Sequence, residues 1–592
     1  MTEVGAARGP SPAPRTLTGF PAREPMRESF LRRQLLRVGA WYQWGEVLVD
    51  RLVSSALNPL HHTGTIAIFS LAVATVTGIY LFIFYRVGTE AAHRSIEEIM
   101  QHPLGIGSLM RSLHRYSSDA AILAAFLHGG KMLLSDRFWG ARWVSWVTGI
   151  VFVGLVWITG ATGYWLVWDM QAQWLSISTA KFLDVLPIFG GPLARTFLPG
   201  AQIQKFLFFI VLFIHITIPL LLALLYWLHV VRLARARFFP PRVVLWVTGV
   251  AFMAVSLARP ALSAPPAELS TVPGVVPVDL FYFFYAPLTS FAPLTGWAMV
   301  FGTGLVAFTL PWVLRGRAPA RAEVEGIACT GCMRCWKDCP YEAIIMAPRV
   351  NGESGKVEAV VNPARCVGCG ICVGACDSAG ILLGGQRVTL LGEAVGARLS
   401  RLRGEKARSS AAQTRAGRKA RPVLVYACRL MTHFRGRLGA DGTLAAVPNV
   451  TVMGLPCVGM LHPEMIEKSL DHGAAGVFVA GCIPEDCHYR EGSLWLAERL
   501  EGKRLPKLKE SLDGRLRVRW YSPVEVKRFI SDVGAFSEEL RQLTRSRSLR
   551  AGVPRGDAWR DALRCLSWFP GGWGPSPPFH SCSRERRRRC SS

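Results

Sequence analysis

Residues 111–134, RSLHRYSSDAAILAAFLHGGKMLL, form one of two apolar stretches in which histidines recur at the same spacing. His114 and His128 stand on this stretch, and His215 and His229 stand on a second one, each pair fourteen positions apart. A step of fourteen residues along an α-helix returns to nearly the same face and rises roughly 20 Å. A lone histidine in an apolar helix is more often a core residue, but two pairs at one spacing favour ligation. Two such helices side by side would hold two stacked haems, each iron bound by one histidine from each helix.

Composition favours a chain that lies partly in a membrane. Its 592 residues allow several domains, and half of them are hydrophobic, with a positive mean hydropathy. The net charge is +27, but the basic residues gather beside apolar stretches, in a linker and in a tail, which favours positive-inside topology over nucleic-acid binding. Twelve of the 15 cysteines cluster after the last apolar stretch, which indicates cofactor ligation in a reducing compartment. The polar, proline-rich start predicts that there is no cleavable signal.

About six stretches are apolar enough to span a bilayer, which takes roughly 20 helical residues. They cover residues 62–85, 113–134, 143–168, 203–231, 242–259 and 294–314, of which the fifth is short. Arginine and lysine mark one side of these spans, which predicts that both termini are cytoplasmic in a multi-pass protein of a prokaryotic cytoplasmic membrane. His114 would then pair with His215 near the outer surface, and His128 with His229 near the cytoplasm.

Four glycines in the apolar stretches show the same fourteen-residue spacing as the histidines. Gly64 and Gly78 in the first span are fourteen positions apart, as are Gly149 and Gly163 in the third. Glycine alone is a weak signal because membrane helices use it freely for packing. These four glycines are candidates for a haem-binding core because their spacing equals that of the histidines.

Further motifs extend the pattern: R-x-x-H at Arg111–His114, GYWLVWDMQAQW from Gly163 and HITIP from His215. The first four spans thereby resemble the N-terminal, haem-binding half of cytochrome b from quinol:cytochrome c reductases. The resemblance implies two b-type haems and glycines that let the haem faces approach the backbone. It also implies that Arg111 contacts a propionate of the outer haem. Lys131 stands where that family usually has an arginine near the inner haem, so a propionate contact there is less specific.

The external loop before the sixth span carries an incomplete quinol-oxidation motif. PVDLFYFFYAPL from Pro277 has the aromatic continuation of the family's Pro-Glu-Trp-Tyr, but Val278 stands at the glutamate position. Asp279 could accept a quinol proton there. The alternative is that Asp279 caps a helix at the interface. The resemblance makes quinone the expected substrate, and it alone implies a homodimer.

Eight cysteines follow the last span in two runs of C-x2-C-x2-C-x3-C, the first of them followed by proline. They are Cys329, Cys332, Cys335, Cys339, Cys366, Cys369, Cys372 and Cys376. In this pattern the fourth cysteine of each run ligates the other cluster. The region resembles bacterial two-cluster ferredoxins, which implies one [4Fe-4S] cluster on Cys329, Cys332, Cys335 and Cys376 and another on Cys366, Cys369, Cys372 and Cys339. A zinc site is the alternative, although eight cysteines exceed its needs.

A second quartet, Cys428, Cys457, Cys482 and Cys487, is more scattered. By spacing alone these could be buried structural cysteines. The surrounding segments LPCVGM, GAAGVFVAGC and PEDCHYREGS resemble the delta subunit of methyl-viologen-reducing hydrogenase. That resemblance implies a [2Fe-2S] cluster on the quartet and a flavoprotein partner of the hydrogenase or heterodisulfide-reductase type. His488 lies beside a ligand and could tune the cluster, or have a surface role.

The predicted chain is multidomain: an α-helical transmembrane bundle with a di-haem four-helix core, an α+β ferredoxin-like module and a small α/β iron-sulfur domain. The predicted segments are 1–55 (N-terminal), 56–240 (di-haem), 241–318 (two further spans), 322–395 (ferredoxin), 396–420 (basic linker), 421–541 (delta-like) and 542–592 (disordered tail, whose three cysteines are not ligands).

The expected function is electron transfer between the quinone pool and a cytoplasmic flavin or hydrogenase-like partner, in the order outer haem, inner haem, two [4Fe-4S] clusters, [2Fe-2S] cluster. One alternative is a transmembrane conduit to an external cytochrome without a quinone site. Another is a redox-inactive membrane anchor, against which the clustered cysteines argue. No nucleophile motif, phosphate loop or dinucleotide fingerprint indicates other substrate chemistry.

Overall fold

The computed structural model describes residues 30–187, 193, 205–231, 235–270, 292–316, 319–349, 356–410, 421–428, 438, 442–447, 449–509, 512 and 514–551. Asp279, the N-terminal 29 residues, the second half of the predicted linker and the tail beyond Ala551 lie outside the described residues. Contacts divide the chain into two units, Met1–Ser537 and Glu538–Ser592. The first unit contains every predicted ligand.

Helices make up the N-terminal half of the first unit. They are α1 (Phe30–Val53), α2 (Thr63–Phe84), α3 (Ala91–Met100), α4 (Ile106–Leu134), α5 (Trp143–Val167), α6 (Met170–Leu183), α7 (Lys205–Val230), α8 (Arg242–Ala258) and α9 (Pro293–Val313). Helices α2, α4, α5, α7, α8 and α9 occupy the six predicted spans. Among the described residues, four helices are long and apolar enough to cross a membrane: α2, α5 with the turn before it, α7 and α9.

The other two predicted spans differ from these four for physical reasons. Helix α4 has 29 residues, about 43 Å at 1.5 Å per residue, but it carries Arg111, Arg115, Asp119 and Lys131. These charges lower its hydropathy although its length exceeds that of a bilayer core. Helix α8 is apolar but has only 17 residues.

Two helix pairs form the core of the bundle, because α2 packs along α4 and α5 packs along α7. Ile122, Phe152, Val156, Ile218 and Leu222 form a buried cluster that joins α4, α5 and α7. The outward faces keep large apolar side chains exposed, as on α2 and α7. So much exposed apolar surface is expected where lipid, rather than water, surrounds the helices.

The first cysteine-rich module consists of two small antiparallel sheets and two single-turn helices. Strand β1 (Ala322–Val324) pairs with β4 (Ile381–Leu383), and β2 (Ile344–Pro348) pairs with β3 (Val357–Val361). The short helices α10 (Arg334–Lys337) and α11 (Ile371–Gly374) each carry a cysteine of one run. Each cysteine run therefore lies in the same kind of local structure, in which a loop and a single-turn helix accompany short antiparallel strands.

Helix α12 (Val388–Ser410) follows and extends through the first part of the predicted linker. Leu391, Val395 and Leu399 recur every four residues and are buried. This spacing places them on one helical face, which explains why the chain stays helical where its composition becomes basic.

The C-terminal lobe is an α/β unit around a four-stranded parallel sheet of order β6, β5, β7, β8. Its elements are β5 (Val423–Cys428), β6 (Val450–Leu455), α13 (Pro463–Asp471), β7 (Gly476–Cys482), α14 (Gly492–Leu500), β8 (Leu516–Tyr521) and α15 (Val526–Ala551). Every residue of β5 and β7 is buried, as expected of central parallel strands. Cys428 and Cys482 end these strands, so both thiols lie at the carboxyl edge of the sheet, where ligand sites of open α/β sheets form.

Candidate redox sites

The paired histidines face each other inside the bundle. The ring centroids of His114 and His215 lie 6.3 Å apart. Metal–imidazole bonds are about 2 Å long, so two imidazoles on opposite sides of one metal ion would have centroids about 6 Å apart. His128 and His229 are near enough to interact electrostatically. The structure therefore brings together both predicted pairs.

Each of the four glycines lies against one histidine ring. A Cβ atom at Gly78 or Gly163 would fall 3.0 Å from Cε1 of His114 or His215. At Gly64 and Gly149 it would fall 3.0 and 3.3 Å from Cε1 of His128 and His229. Real Cβ contacts are seldom this short, so a side chain would displace the ring. The glycines therefore make room for the histidine rings themselves, where the resemblance pointed only to the haem faces.

Threonines orient three of the four rings, and the sequence analysis missed them. The Nδ1 atoms of His114, His215 and His229 lie 3.3, 3.1 and 3.0 Å from the hydroxyls of Thr77, Thr162 and Thr148, respectively. The signal is visible in the sequence, because each of the four glycines is preceded by threonine.

Backbone carbonyls complete the orientation of one histidine pair. Nδ1 of His114 lies 2.8 Å from the carbonyl oxygen of Ala74, and Nδ1 of His215 lies 2.9 Å from that of Thr159. A histidine whose Nδ1–H donates to a carbonyl presents Nε2 as the free metal-binding atom. These rings are therefore held in the tautomer that iron ligation requires.

Arg111 and Lys131 have different surroundings. Arg111 is buried, and its Nη1 atom has no hydrogen-bond partner among the described residues. Such an orphaned buried donor fits an anionic group such as a haem propionate. Lys131 is also buried, but its Nζ atom lies 2.5 Å from Glu46 and 3.1 Å from Asp486. Its charge is thus already paired by carboxylates of this chain, which leaves the predicted propionate contact without support.

Two cavities in the ferredoxin-like module match the crossed pattern of the two cysteine runs. The first has about 310 Å³ of empty space, part of it open to solvent, and its lining includes Cys329, Cys332, Cys335 and Cys376. The second has about 350 Å³, and its lining includes Cys339, Cys366, Cys369 and Cys372. The fourth cysteine of each run therefore joins the first three of the other run. Both groupings are those that the ferredoxin resemblance implied.

The chemistry of these thiols fits a metal cluster. All twelve described cysteines are free of disulfides. Burial, with Cys376 and Cys332 nearby, raises the pKa of Cys335 to about 12, and burial raises the pKa of Cys369 and Cys372 further. Thiols this buried stay protonated at neutral pH unless a metal displaces the proton. Eight free cysteines around two cavities, several of them buried, therefore suit iron-sulfur ligation.

The second quartet forms a third site at the edge of the parallel sheet. The Sγ atoms of Cys428 and Cys482 lie 3.5 Å apart, and Cys487 is within hydrogen-bonding reach of Cys482 and Cys457. A Cβ atom at Gly492 would fall 2.2 Å from Sγ of Cys457, so only glycine leaves the sulfur its space. All four cysteines are buried, and the structure brings them to one place.

A buried ionic seam joins this third site to the helical bundle. Asp486, which lies between Cys482 and Cys487 in the chain, contacts Lys131 at 3.1 Å and Arg137 at 2.9 Å. Burial alone would raise the pKa of Asp486, but Arg137 and Lys131 outweigh it and lower the pKa to about 2. The carboxylate is therefore charged at neutral pH. The Lys131 ammonium occupies the space between Asp486 and Glu46 that a metal ion could otherwise take.

The seam corrects the order of sites expected from the sequence. That expectation placed the ferredoxin-like module next to the bundle and the quartet at the far end of the chain. In the structure, the quartet loop itself contacts the helices, because α4 and the turn before α5 present basic side chains that pair with Asp486 and with backbone carbonyls of the loop. His488 is half-buried, and desolvation together with the nearby Arg142 lowers its pKa well below its usual value.

Comparison with known proteins assigns each of these segments a relative. The model of the cytochrome b/b6/petB family matches residues 48–237. The helical bundle is similar to cytochrome b. The 4Fe-4S dicluster domain matches residues 328–379, and the delta subunit of methyl-viologen-reducing hydrogenase matches residues 423–544. These matches confirm the three resemblances and the fold class predicted from the sequence.

A solved structure titled "Hyperthermophilic respiratory Complex III" is similar to part of the chain. The two are 18% identical, with a TM-score of 0.35, over 42% of this chain and 74% of the other. The family matches themselves imply b haems in the cytochrome b-like segment and iron-sulfur clusters in the dicluster segment. The chain is thus a membrane electron-transfer protein.

Proposed function

We propose that this chain is the membrane subunit of an oxidoreductase complex that links the quinone pool to a soluble cytoplasmic partner. The observation that carries the proposal is the combination, in one compact unit, of two facing histidine pairs with three sites of four cysteines each. Redox groups arranged in this way transfer electrons and need no catalytic machinery of their own for other substrates.

Two b-type haems would be held by four histidines, one haem by His114 and His215, the other by His128 and His229. A haem iron with two histidine ligands exchanges one electron at a time. The protein's part is to hold the rings: Thr77 and the carbonyl of Ala74 orient His114 through Nδ1. Arg111 would offer its free Nη1 donor to a propionate.

The twelve cysteines would hold three clusters. The two cavities of the ferredoxin-like module would each hold a [4Fe-4S] cluster on the cysteines that line them. The quartet of the C-terminal lobe would hold a [2Fe-2S] cluster, as the delta-subunit match suggests. The four thiols of the quartet are buried, which would shield a cluster there from water.

The partner would be a cytoplasmic flavoprotein or a subunit of the hydrogenase or heterodisulfide-reductase type. The match to the delta subunit of methyl-viologen-reducing hydrogenase supports a hydrogenase connection. Basic residues that flank the apolar helices on one side support a cytoplasmic location for the cysteine-rich domains. The quinone would bind near the external loop that carries Asp279, which would accept a proton from quinol.

The first experiment is spectroscopic and kinetic. The purified full-length protein is expected to show b-type haem absorbance and iron, and a quinol is expected to reduce the haems in a reaction that a quinone analogue inhibits. Absence of haem absorbance would contradict the proposal and leave a redox-inactive anchor. Haem reduction by quinol that no quinone analogue affects would favour a conduit to an external cytochrome.

The proton acceptor is tested by Asp279→Asn. General-base catalysis typically contributes about 100-fold or more, so we expect haem reduction by quinol to slow by at least about 10-fold. Glu268→Gln is the matched control, because Glu268 is an exposed carboxylate on the same loop. Equal rates in the two variants would exclude Asp279 from quinol oxidation.

A further inference from the structure

One basic side chain of the bundle contacts both cysteine-rich domains. Arg142, at the start of α5, donates through Nη2 to the carbonyl oxygen of His488 at 2.6 Å and to the hydroxyl of Tyr341 at 2.8 Å. His488 follows Cys487 of the quartet, and Tyr341 lines the second cavity of the ferredoxin-like module. The three parts of the molecule therefore meet at this residue.

The quartet loop has the more extensive contact with the bundle. Besides its ionic contacts, Asp486 accepts a hydrogen bond at its carbonyl from Nη2 of Arg137 at 2.8 Å. Lys131, which pairs with the same carboxylate, is one helical turn from His128 on α4. The quartet is thus linked to the helix end that carries the second histidine pair by a single side-chain contact.

The opposite side of the quartet packs against the second cavity of the ferredoxin-like module. A Cβ atom at Gly492 would touch both Sγ of Cys457 and, at 3.5 Å, Cδ1 of Ile371. A Cβ atom at Gly370 would fall 2.7 Å from Sδ of Met460, three positions after Cys457. Gly370 and Ile371 line the cavity of Cys339, Cys366, Cys369 and Cys372. The quartet and this cavity are separated by little more than these side chains.

The first cavity of the module differs from the second in carrying an exposed cysteine. Cys332 is the exposed thiol among the twelve described cysteines. The nearby Ile327 is 94% exposed, and Trp336 is 47% exposed. The quartet loop and the second cavity therefore both meet the bundle at Arg142, the quartet loop with the additional contacts of Asp486, whereas the first cavity carries the exposed thiol.

We propose that the quartet is the main relay between the haem-binding bundle and the ferredoxin-like module, and that a soluble protein partner exchanges electrons at the exposed Cys329–Cys332–Cys335–Cys376 site. The inference rests on the function proposed above. Each transfer moves one electron, so that the donor site is oxidised and the next site is reduced by one electron without a bond forming or breaking. The soluble partner supplies or takes up the electron. Because electron-transfer rates fall steeply with distance, the cysteine site with the more extensive contact with the bundle is expected to carry most of the electron transfer.

The test uses the full-length protein and a reduced flavodoxin as the electron donor. Flavodoxin has a low reduction potential and is too large to reach the buried cysteines of the quartet. Haem reduction is followed by absorbance, and cluster signals are followed by freeze-quench electron paramagnetic resonance (EPR). In Cys487→Ser, haem reduction is expected to slow at least 10-fold, while the [4Fe-4S] signals appear at the wild-type rate. In Cys332→Ser, the quartet signal itself is expected to appear at least 10-fold more slowly. Full development of the remaining signals with dithionite shows that the other sites are assembled.

Two outcomes would overturn the proposal. Wild-type haem reduction in Cys487→Ser would show that the quartet is bypassed, and wild-type haem reduction in Cys332→Ser would show that the partner enters elsewhere. A protein without b-type haem would instead contradict the proposed function, so the two failures are distinguishable.

A measurement on the unaltered protein covers the case in which a variant does not fold. Oxidised haem is paramagnetic and should speed the spin relaxation of the nearest cluster. Faster relaxation of the quartet signal than of either [4Fe-4S] signal is expected, and faster relaxation of a [4Fe-4S] signal alone would contradict the order.

Discussion

At the scale of single residues, each proposed haem site consists of more than its two candidate ligands. The histidines supply the metal-binding atoms, but a glycine gives each ring its space and a threonine before that glycine bonds Nδ1 in three of the four cases. The histidines and glycines could be predicted because their fourteen-residue spacing is a property of the helix. The role of the threonines could not, because it depends on which ring lies beside which helix.

Gly163→Val should therefore disrupt one haem site. A Cβ atom at Gly163 falls 3.0 Å from Cε1 of His215, and the branched side chain adds atoms at the ring. We expect the variant to lose about half of the b-type haem, since one of two haems depends on this ring. Haem content per protein is the measurement. Gly154→Val is the matched control, because nothing lies within 4 Å of a Cβ atom at Gly154 on the same helix. Full haem content in both variants would contradict the assigned packing.

At the scale of elements, the parallel sheet explains why scattered cysteines form one site. Cys428 and Cys482 end adjacent strands, and Cys457 lies two residues beyond the third, so all reach the same edge. Helix α13 follows this edge, and His462 caps its first turn by accepting a hydrogen bond at Nδ1 from the backbone N–H of Glu464. Its Nε2–H donates to Asp377. The bond at Nδ1 requires the neutral ring, because a protonated Nδ1 has no lone pair to accept it.

The hydrogen bond that His462 accepts at Nδ1 predicts that the folded protein becomes less stable at low pH. Burial, with Arg499 nearby, lowers the pKa of His462 to about 4. A histidine with a lowered folded-state pKa contributes stability that is complete above about pH 6.5 and is lost as the pH falls towards 4. The expected loss between pH 8 and pH 5 is about 2 kcal/mol. Thermal unfolding across this range is the measurement.

His462→Asn should flatten that pH dependence, because asparagine caps a helix without titrating. His472→Asn is the histidine control, at the exposed end of the same helix. An unchanged slope in His462→Asn would show that this ring is not the group responsible.

At the scale of the whole molecule, the first unit is held together by buried charges that cross its parts. Arg499 of α14 is fully buried and pairs at 2.6 Å with Asp338 of the ferredoxin-like module. It also donates to the carbonyl of Gly459 at 2.9 Å. A second arginine, Arg504, pairs with the same carboxylate at 2.7 Å. These contacts fix the module against the quartet, as the Asp486 seam fixes the quartet against the bundle.

Asp338→Asn tests this junction. The substitution keeps the shape of the side chain but leaves a buried guanidinium without its counter-charge, which typically costs about 3 kcal/mol or more. We expect a lower unfolding temperature, measured together with iron content to detect cluster loss. Glu501→Gln breaks an exposed pair with Lys503 and should leave the unfolding temperature unchanged. Equal unfolding temperatures in the two variants would contradict a structural role for the junction.

The sequence by itself determined the fold class and the candidate ligands, because both depend on local periodicity. Helical spacing marks the histidines and glycines, and short cysteine spacing marks the two ferredoxin runs. The order of the cysteine sites was decided only by the tertiary structure. That order rests on contacts between residues such as Arg142 and His488, which are 346 positions apart. Chain order suggested that the quartet lies farthest from the helical bundle, whereas side-chain charges at the domain surfaces place it against the bundle.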